Sequence, residues 1–583
     1  MILKTTLEMK KILFLLILNP LYLLAQTSDF TTVFETSKGT ETTTYKQTIK
    51  FYTDLANTYS EISIREIGMT DSGKPLHIVT LNPDKEFDFS IIRKNKRILL
   101  INNGIHPGES DGIDATMLLF RDIVQGKINN LTKTVLVTIP IYNVGGSLNR
   151  NSTTRTNQNG PKAYGFRGNA RNYDLNRDFI KCDTKNARTF TEIFHLVQPD
   201  VFIDNHVSNG ADYQYTLTHL FTQHNKLGGQ LGNYLHQEMM PSLEKKLAEK
   251  DWNITPYVNV FNQVPEIGFS QFFDSPRYST GYTTLFNTLG MMVETHMLKP
   301  YQKRVEGTYE LLKSMLTIID ADAEKIKVLR ADATKNLYTK KTYPITWKID
   351  TTKSTTLSFK GFEGHKVQSK ITKDQRLKFD RNKPFTKNVT YHNYFTPQLE
   401  INIPNYYIIP QAWYKVLGLL QLNNIEMTRV EKDTLITVEA YKISDFQTRK
   451  MAYEGHYLHY KTKINSSIKN LSFKKGDYLI HTQQPSIRYL LETLEPQAPD
   501  SFFNWNYFDM ILQQKEGFSP YVWEDKALII LRNNPDLELE FLAKKKSDQP
   551  FADNWYLQLD WIHKHSEHYE KAHLQYPIYR ILK

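Results

Sequence analysis

The sequence predicts an α/β fold, a mixed central sheet with helices on both faces, followed by an accessory domain that is α+β or β-rich. Two observations predict the first part: short unbroken apolar runs, and amphipathic helical stretches between them. A third predicts the second part, because past Tyr338 the texture turns Thr-, Lys- and Tyr-rich with half-polar, alternating segments.

Taken in order, Arg97–Asn102, Thr134–Ile139, Asp200–Asp204 and Gly290–Glu294 are expected strands. Each is continuously apolar rather than alternating, as strands covered on both faces are. Helices are expected over Asp111–Val124 and Leu227–Glu249. Beyond them, Thr346–Asp350 and Thr355–Phe359 read as solvent-facing strands, while Gln411–Leu422 and Pro485–Leu494 read as helices. The change of texture sets a boundary near residues 330 to 345, with a first domain over 27–335 and a second over 340–583. At 583 residues the chain also exceeds what one hydrophobic core usually supports.

Composition narrows the class of protein. Hydrophobic content of 40% and charged content of 23% are globular, and 34 Tyr and 31 Phe supply bulk for cores. The formal charge of +11 is scattered rather than gathered into a stripe, so no nucleic-acid partner is expected. One cysteine, Cys182, excludes an intramolecular disulfide framework and any Cys-rich zinc module, so metal ligands must be His and carboxylate. At the N-terminus, Met9-Lys10-Lys11 precedes the apolar run Ile12–Leu24, and Ala25-Gln26 offers a small-residue cleavage point. A signal peptide over 1–25 is the expectation, giving an exported bacterial protein, periplasmic or secreted, with no stable membrane insertion after cleavage.

Among the 17 histidines, His106 alone has a glutamate three residues later, in Ile105-His106-Pro107-Gly108-Glu109. This pair follows a buried strand and precedes a helix, the position at which α/β sheets place their sites. A zinc that keeps one position open for water needs a third ligand, and two His plus one Glu is a recognised set. Asp200-Val-Phe-Ile-Asp204-Asn205-His206 offers a second strand ending in a histidine. Between these lie Asn143-Val-Gly-Gly146, Arg155, and Asp174-Leu175-Asn176-Arg177, and downstream Glu294 ends the run Met291-Met292-Val293.

This order, His-x-x-Glu, Arg, Asp-x-Asn-Arg, His and then a strand-borne Glu, resembles the zinc metallocarboxypeptidases, the family of the digestive carboxypeptidases A and B. The resemblance runs from about Thr42 to Tyr301. It implies one zinc per chain held by His106, Glu109 and His206, with Asp174 orienting the first histidine. It also implies that Asn176 and Arg177 hold a substrate carboxylate and that Glu294 is the general base. Arg155 matches the arginine that stabilises the oxyanion, with Arg167 and Arg171 close enough to compete. The family's capping tyrosine has no clear match: Tyr278 and Tyr282 are both candidates, and Tyr282 is the expected one.

The function implied is zinc-dependent hydrolysis of a peptide amide next to a free carboxylate, on a peptide or a peptidoglycan-derived substrate. Rival readings are a zinc-dependent peptidoglycan amidase or deacylase on the same scaffold, and a binding protein with a vestigial site. The C-terminal histidines His563, His565, His568 and His573 read as a solvated helix. Tyr457, Tyr460, Trp505 and Trp523 read as core packing rather than a carbohydrate platform.

Overall fold

The protein is described by a computed structural model over residues 30–128 and 131–582. The segment expected to be a signal peptide lies outside the described residues. Among these residues no helix is long and apolar enough to cross a membrane.

An eight-stranded sheet organises the first half. Its strands are β1 (Ile62–Met69), β2 (Pro75–Leu81), β3 (Arg97–Asn102), β4 (Thr134–Ile139), β5 (Val201–Ser208), β6 (Leu217–Phe221), β7 (Ile254–Pro256) and, after the short β8 (Phe269–Ser270) that lies outside it, β9 (Leu289–His296). The order is β1-β2-β4-β3-β5-β9-β6-β7. Strands β4, β3, β5 and β9 run parallel, while β2 and β6 run antiparallel to their inner neighbours. The sheet is therefore mixed, as expected. The expected third strand is longer than its apolar run: β5 continues through His206 to Ser208 because its carboxyl end pairs along β9, His206 opposite Glu294.

The fully buried strands send alternate side chains to two cores, as a period of two requires. Leu99, Ile101, Leu136 and Ile203 join Tyr52 and Leu55 of α1 (Tyr45–Thr58), Phe120 of α2 (Asp111–Val124) and Leu312 of a later 21-residue helix, Tyr301–Ala321. Ile98, Leu100, Val137 and Phe202 face the other way, onto Phe190 and Phe194 of α3 (Lys185–Val197). This second core does not stop at the expected boundary. It continues through Tyr282 and Leu285, at the end of α4 (Ser279–Thr284), into Tyr407, Leu420, Tyr489, Leu490 and Phe503. Between them, α5 (Tyr301–Ala321) and α6 (Ala323–Thr339) lead the chain from one half to the other.

The C-terminal region is α+β. It holds the pair β10 (Thr342–Ile349) and β13 (Phe395–Asn402), and a long hairpin of β11 (Thr355–Gln368) and β12 (Gln375–His392). A six-stranded sheet has the order β15-β18-β14-β19-β16-β17, built from β14 (Tyr406–Ile409), β15 (Thr428–Arg429), β16 (Thr434–Thr448), β17 (His459–Phe473), β18 (Tyr478–His481) and β19 (Tyr579–Ile581). Helices α7 (Tyr414–Leu422) and α8 (Ile487–Leu494) lie on the shared core, and every residue of α8 is buried. Buried Arg488 reaches across to the first half, donating to the carbonyls of Lys226 (2.9 Å) and Leu227 (2.7 Å). Three further helices, α9 (Pro520–Asn533), α10 (Pro535–Ser547) and α11 (Trp555–Lys564), close a small core of their own around Trp523, Phe541 and Leu559.

Candidate metal centre and cleft

Strand β3 has β4 on one side and β5 on the other, so the crossovers leave it in opposite directions and open a crevice at the carboxyl ends of β3 and β5. The loop after β3 enters this crevice. Gly104 has φ of +64°, the left-handed conformation that lets the chain leave the strand sharply. At the start of α2, Gly112 packs so closely on β5 that an added Cβ would lie 2.4 Å from Cβ of Asn205. His106 and Glu109 sit between these two glycines, opposite His206.

His106 Nδ1 and His206 Nδ1 each lie 3.2 Å from Oε2 of Glu109. The three residues form the one His/Cys/Asp/Glu group among the described residues able to hold a metal, their ligating atoms within 4.8 Å of one another. All three are buried. The opposite ring nitrogens are taken by carboxylates: His106 Nε2 with Asp174 Oδ1 at 2.9 Å, and His206 Nε2 with Asp204 Oδ2 at 2.9 Å. Each carboxylate favours the tautomer protonated on Nε2, which leaves the Nδ1 lone pairs aimed at Glu109. The donor set suits zinc on chemical grounds, two imidazole nitrogens and one carboxylate with their outer partners in place.

Sequence reasoning does not single out Asp204 as the partner of His206. The signal is present nonetheless, since residues two apart on a strand share a face. Asn102 Nδ2 donates to its Oδ1 at 3.0 Å and Ser279 Oγ to its Oδ2 at 2.5 Å, so its position is fixed from two sides.

Charge is distributed unevenly. Burial pushes the Glu109 carboxyl up, but His106, Arg155 and His206 outweigh it and hold the group well below the usual range. Asp174 is likewise lowered despite its burial, by His106, Arg167 and Arg177. Burial opposes the charge on His206, yet Asp204 and Glu109 raise it well above the ordinary histidine value. Glu294 is different: burial pushes its carboxyl up to about 7, with Glu109 and Asp204 adding to the rise against His206 and Arg167.

A cleft of about 320 Å³ lies over these groups, lined among others by Arg167, Asn176, Arg177, Tyr257, Phe272, Tyr278, Met292 and Glu294. Asn176 is buried and accepts from the Ser279 N–H at 3.1 Å. The Arg177 guanidinium donates to the Asn176 carbonyl at 2.7 Å and lies 4.5 Å from the ring centroid of Tyr278.

Two expected residues lie elsewhere. Arg155 does not line the cleft; its Nη1 is 3.0 Å from Glu109 Oε1 and its Nε donates to Gln158 at 2.5 Å, so the guanidinium is held beside the ligand. Of the three candidate arginines, Arg167 is the one that lines the cleft, and it grips Asp174 Oδ2 through Nε and Nη2 at 3.1 and 2.8 Å. Arg171 is turned away, donating to the Asp183 carbonyl. Tyr282 is fully buried in the seam with the C-terminal region, its hydroxyl donating to Asn423 at 2.7 Å and lying 3.3 Å from His195 Nε2. One turn upstream, Tyr278 is the tyrosine at the cleft.

Residues 48–199 match the family model of zinc carboxypeptidase. This part of the chain belongs to the zinc carboxypeptidase family. The matched stretch contains His106, Glu109, Asp174, Asn176 and Arg177 and ends before His206 and Glu294, which the sheet brings alongside. Solved structures similar to the chain include a metallo-carboxypeptidase from Burkholderia cenocepacia, at 16% identity over 46% of this chain and 68% of that one, TM-score 0.35. A metallo-carboxypeptidase from Pseudomonas aeruginosa is similar at 13% identity over 48% and 69%, TM-score 0.35. Carboxypeptidase A from Helicoverpa armigera is similar at 13% identity over 48% and 74%, TM-score 0.37. No curated protein matches the chain.

Proposed function

We propose that the protein is a zinc-dependent carboxypeptidase that hydrolyses the peptide amide next to a free C-terminal carboxylate. The observation that carries this reading is the convergence of His106 Nδ1, His206 Nδ1 and Glu109 Oε2 beneath a cleft that also holds Glu294 and Arg177. A zinc ion held by these three residues supplies Lewis acidity, which acidifies water and polarises a carbonyl.

The chain's own residues do the rest. Arg177 and Asn176 bind and orient the terminal carboxylate, a task suited to a planar guanidinium whose position is set by the Asn176 carbonyl and the Tyr278 ring. That anchoring places the last amide over the ligand set. Glu294, with its carboxyl near 7, accepts a proton from the attacking water and returns it to the leaving amine. Arg167 faces the cleft as a fixed cation and stabilises the negative charge that develops on the carbonyl oxygen. Asp174 and Asp204 keep the two histidines in the tautomer that presents Nδ1. The apolar run Ile12–Leu24 supports export as the setting for this activity, and the residues from about 27 to 335 supply every group in it.

The test is product identification. The purified protein, loaded with zinc, is incubated with a mixed peptide library and the released pieces are read by mass spectrometry. Single residues lost from free C-termini are expected, and the same peptides with amidated C-termini should resist, because the guanidinium would be left without its partner. Internal cleavage, or equal turnover of free and amidated peptides, would overturn the exopeptidase reading.

A further inference from the structure

Glu454 lies in the C-terminal region, 280 residues from the site in sequence, yet its Oε2 accepts the backbone N–H of Asp174 at 2.9 Å. It sits at the tip of a two-residue turn. Tyr453 N donates to the His456 carbonyl at 2.7 Å and His456 N to the Tyr453 carbonyl at 3.1 Å. Glu454 and Gly455 between them both have positive φ, +50° and +80°. Such a turn favours Asn-Gly, Asp-Gly or Gly-Gly, and glutamate is a poor choice on local grounds. A residue that breaks a local preference points to a task elsewhere.

The tip is pressed against the site and held there. An added Cβ on Gly455 would lie 2.7 Å from the Tyr173 hydroxyl. His456 Nε2 is 2.7 Å from Asp183 Oδ2, and the Tyr453 ring stacks on Trp505 at 6.2 Å and 20°. Asp183 also takes Nζ of Lys181 at 2.7 Å, and that fully buried lysine reaches Asp178 at 2.8 Å. The turn is thus tied into the loop that follows Arg177.

What the contact holds is the hub of the centre. Asp174 Oδ1 accepts from His106 Nε2 and from Asn176 N, both at 2.9 Å, while Oδ2 takes Arg167. The Asp174 carbonyl accepts the Arg177 N–H at 3.0 Å, which leaves its own N–H, and Glu454 occupies it. We propose that Glu454 is a positioning residue of the metal centre: the C-terminal region completes the site by fixing the Asp174 backbone, and through it the His106 ring and the Asn176–Arg177 turn. This rests on the proposed metal site but not on peptide turnover.

Three variants of the full-length protein separate the role from mere folding. Glu454→Gln keeps the length and an acceptor oxygen. Glu454→Asn suits the left-handed turn but is too short to reach Asp174, and Glu454→Ala removes the acceptor. Zinc affinity is measured by chelator competition, and thermal melting is followed on the metal-stripped proteins. Outer partners of metal ligands typically change affinity about 10–100-fold, and Glu454 acts one link further out, so a weakening of about 3–10-fold is expected for Asn and Ala. Glu454→Gln should stay within about twofold of the parent, and the Asn variant should melt no lower than the parent. Parent-like affinity in Glu454→Asn would overturn the proposal, as would weakening that tracks melting temperature across all three. If the parent itself binds no zinc, the proposed metal site fails with it; a parent that binds zinc but cuts no peptide leaves this test intact.

Discussion

One face of the central sheet, with Leu99, Ile101 and Leu136, is closed by helices from its own half of the chain, α1, α2 and α5. The opposite face, with Ile98, Leu100 and Val137, is closed by α3 and then by Tyr407, Leu420, Tyr489 and Phe503 of the C-terminal region. The first face could exist in a protein that ended at residue 339. The second could not keep its core without the residues beyond that point. The C-terminal region is therefore a structural half of the fold rather than an appendage, whereas α9–α11, with a core of their own, come closer to one.

The strongest way to break this comparison is truncation. A chain ending at Thr339 would expose the shared core at Tyr282, Leu285 and α3, and should not give a soluble protein with a cooperative melting transition in calorimetry. A truncated protein that melts cooperatively near the parent would show that the first half is self-sufficient.

Next in size is a change confined to the chemistry of the first half. Glu294→Gln keeps shape but cannot accept a proton, so kcat should fall by about 10²–10⁴-fold with zinc content near that of the parent. His106→Ala should instead lose most of its zinc by elemental analysis, since two ligands remain and the geometry is gone. A Glu294→Gln protein that loses its metal would make Glu294 a ligand.

A third prediction targets the seam itself. Lys226 and Glu492 form a buried pair at 2.8 Å across the two halves, and Glu492 also accepts the Tyr343 hydroxyl at 2.6 Å. Lys226→Met leaves a buried carboxylate short of its cation, which costs about 3–5 kcal/mol in comparable cases. Adding Glu492→Gln should recover part of it, because the uncompensated charge is gone. Urea titrations of the single and double variants would read both effects; an unchanged midpoint in the single variant would mean that the seam carries little of the stability.

Legibility from sequence followed the length scale of the interaction. The strands β3, β4 and β9 could be read because unbroken apolar runs report burial on both faces, and the mixed sheet followed from them. His106, Glu109 and His206 could be brought together because strand ends in α/β sheets converge on one edge. Asp204 was within reach, two residues before His206 on the same strand face. The course of β5 beyond His206 was not, since Val207 and Ser208 owe their place in the strand to pairing with β9. Arg167 could not be told from Arg155 because both stand in an irregular segment where only tertiary packing decides which guanidinium turns toward the cleft. Glu454 and the shared core were beyond any local pattern, since a boundary in texture says nothing about whether two halves bury a common surface.

Tyr282 gives the smallest and most discriminating test. Its hydroxyl lies between Asn423 and His195 in the seam, and burial pushes the phenol well above its usual pKa, so it serves as a neutral donor. Tyr282→Phe removes that donor while His195 remains near Asn423 Oδ1 at 3.4 Å, so the carbonyl is not wholly abandoned. A loss of about 1–2 kcal/mol in stability is expected, the usual cost of one buried hydrogen bond with partial relief. Peptide turnover per folded molecule should stay within about twofold of the parent, because the residue does not border the cleft. Arg177→Lys provides the contrast: it should raise KM by roughly tenfold while leaving the melting temperature almost unchanged, since a point charge replaces a planar fork at a half-exposed position. A Tyr282→Phe protein with parent-like stability and kcat reduced more than about tenfold would return Tyr282 to the reacting groups and redraw the seam.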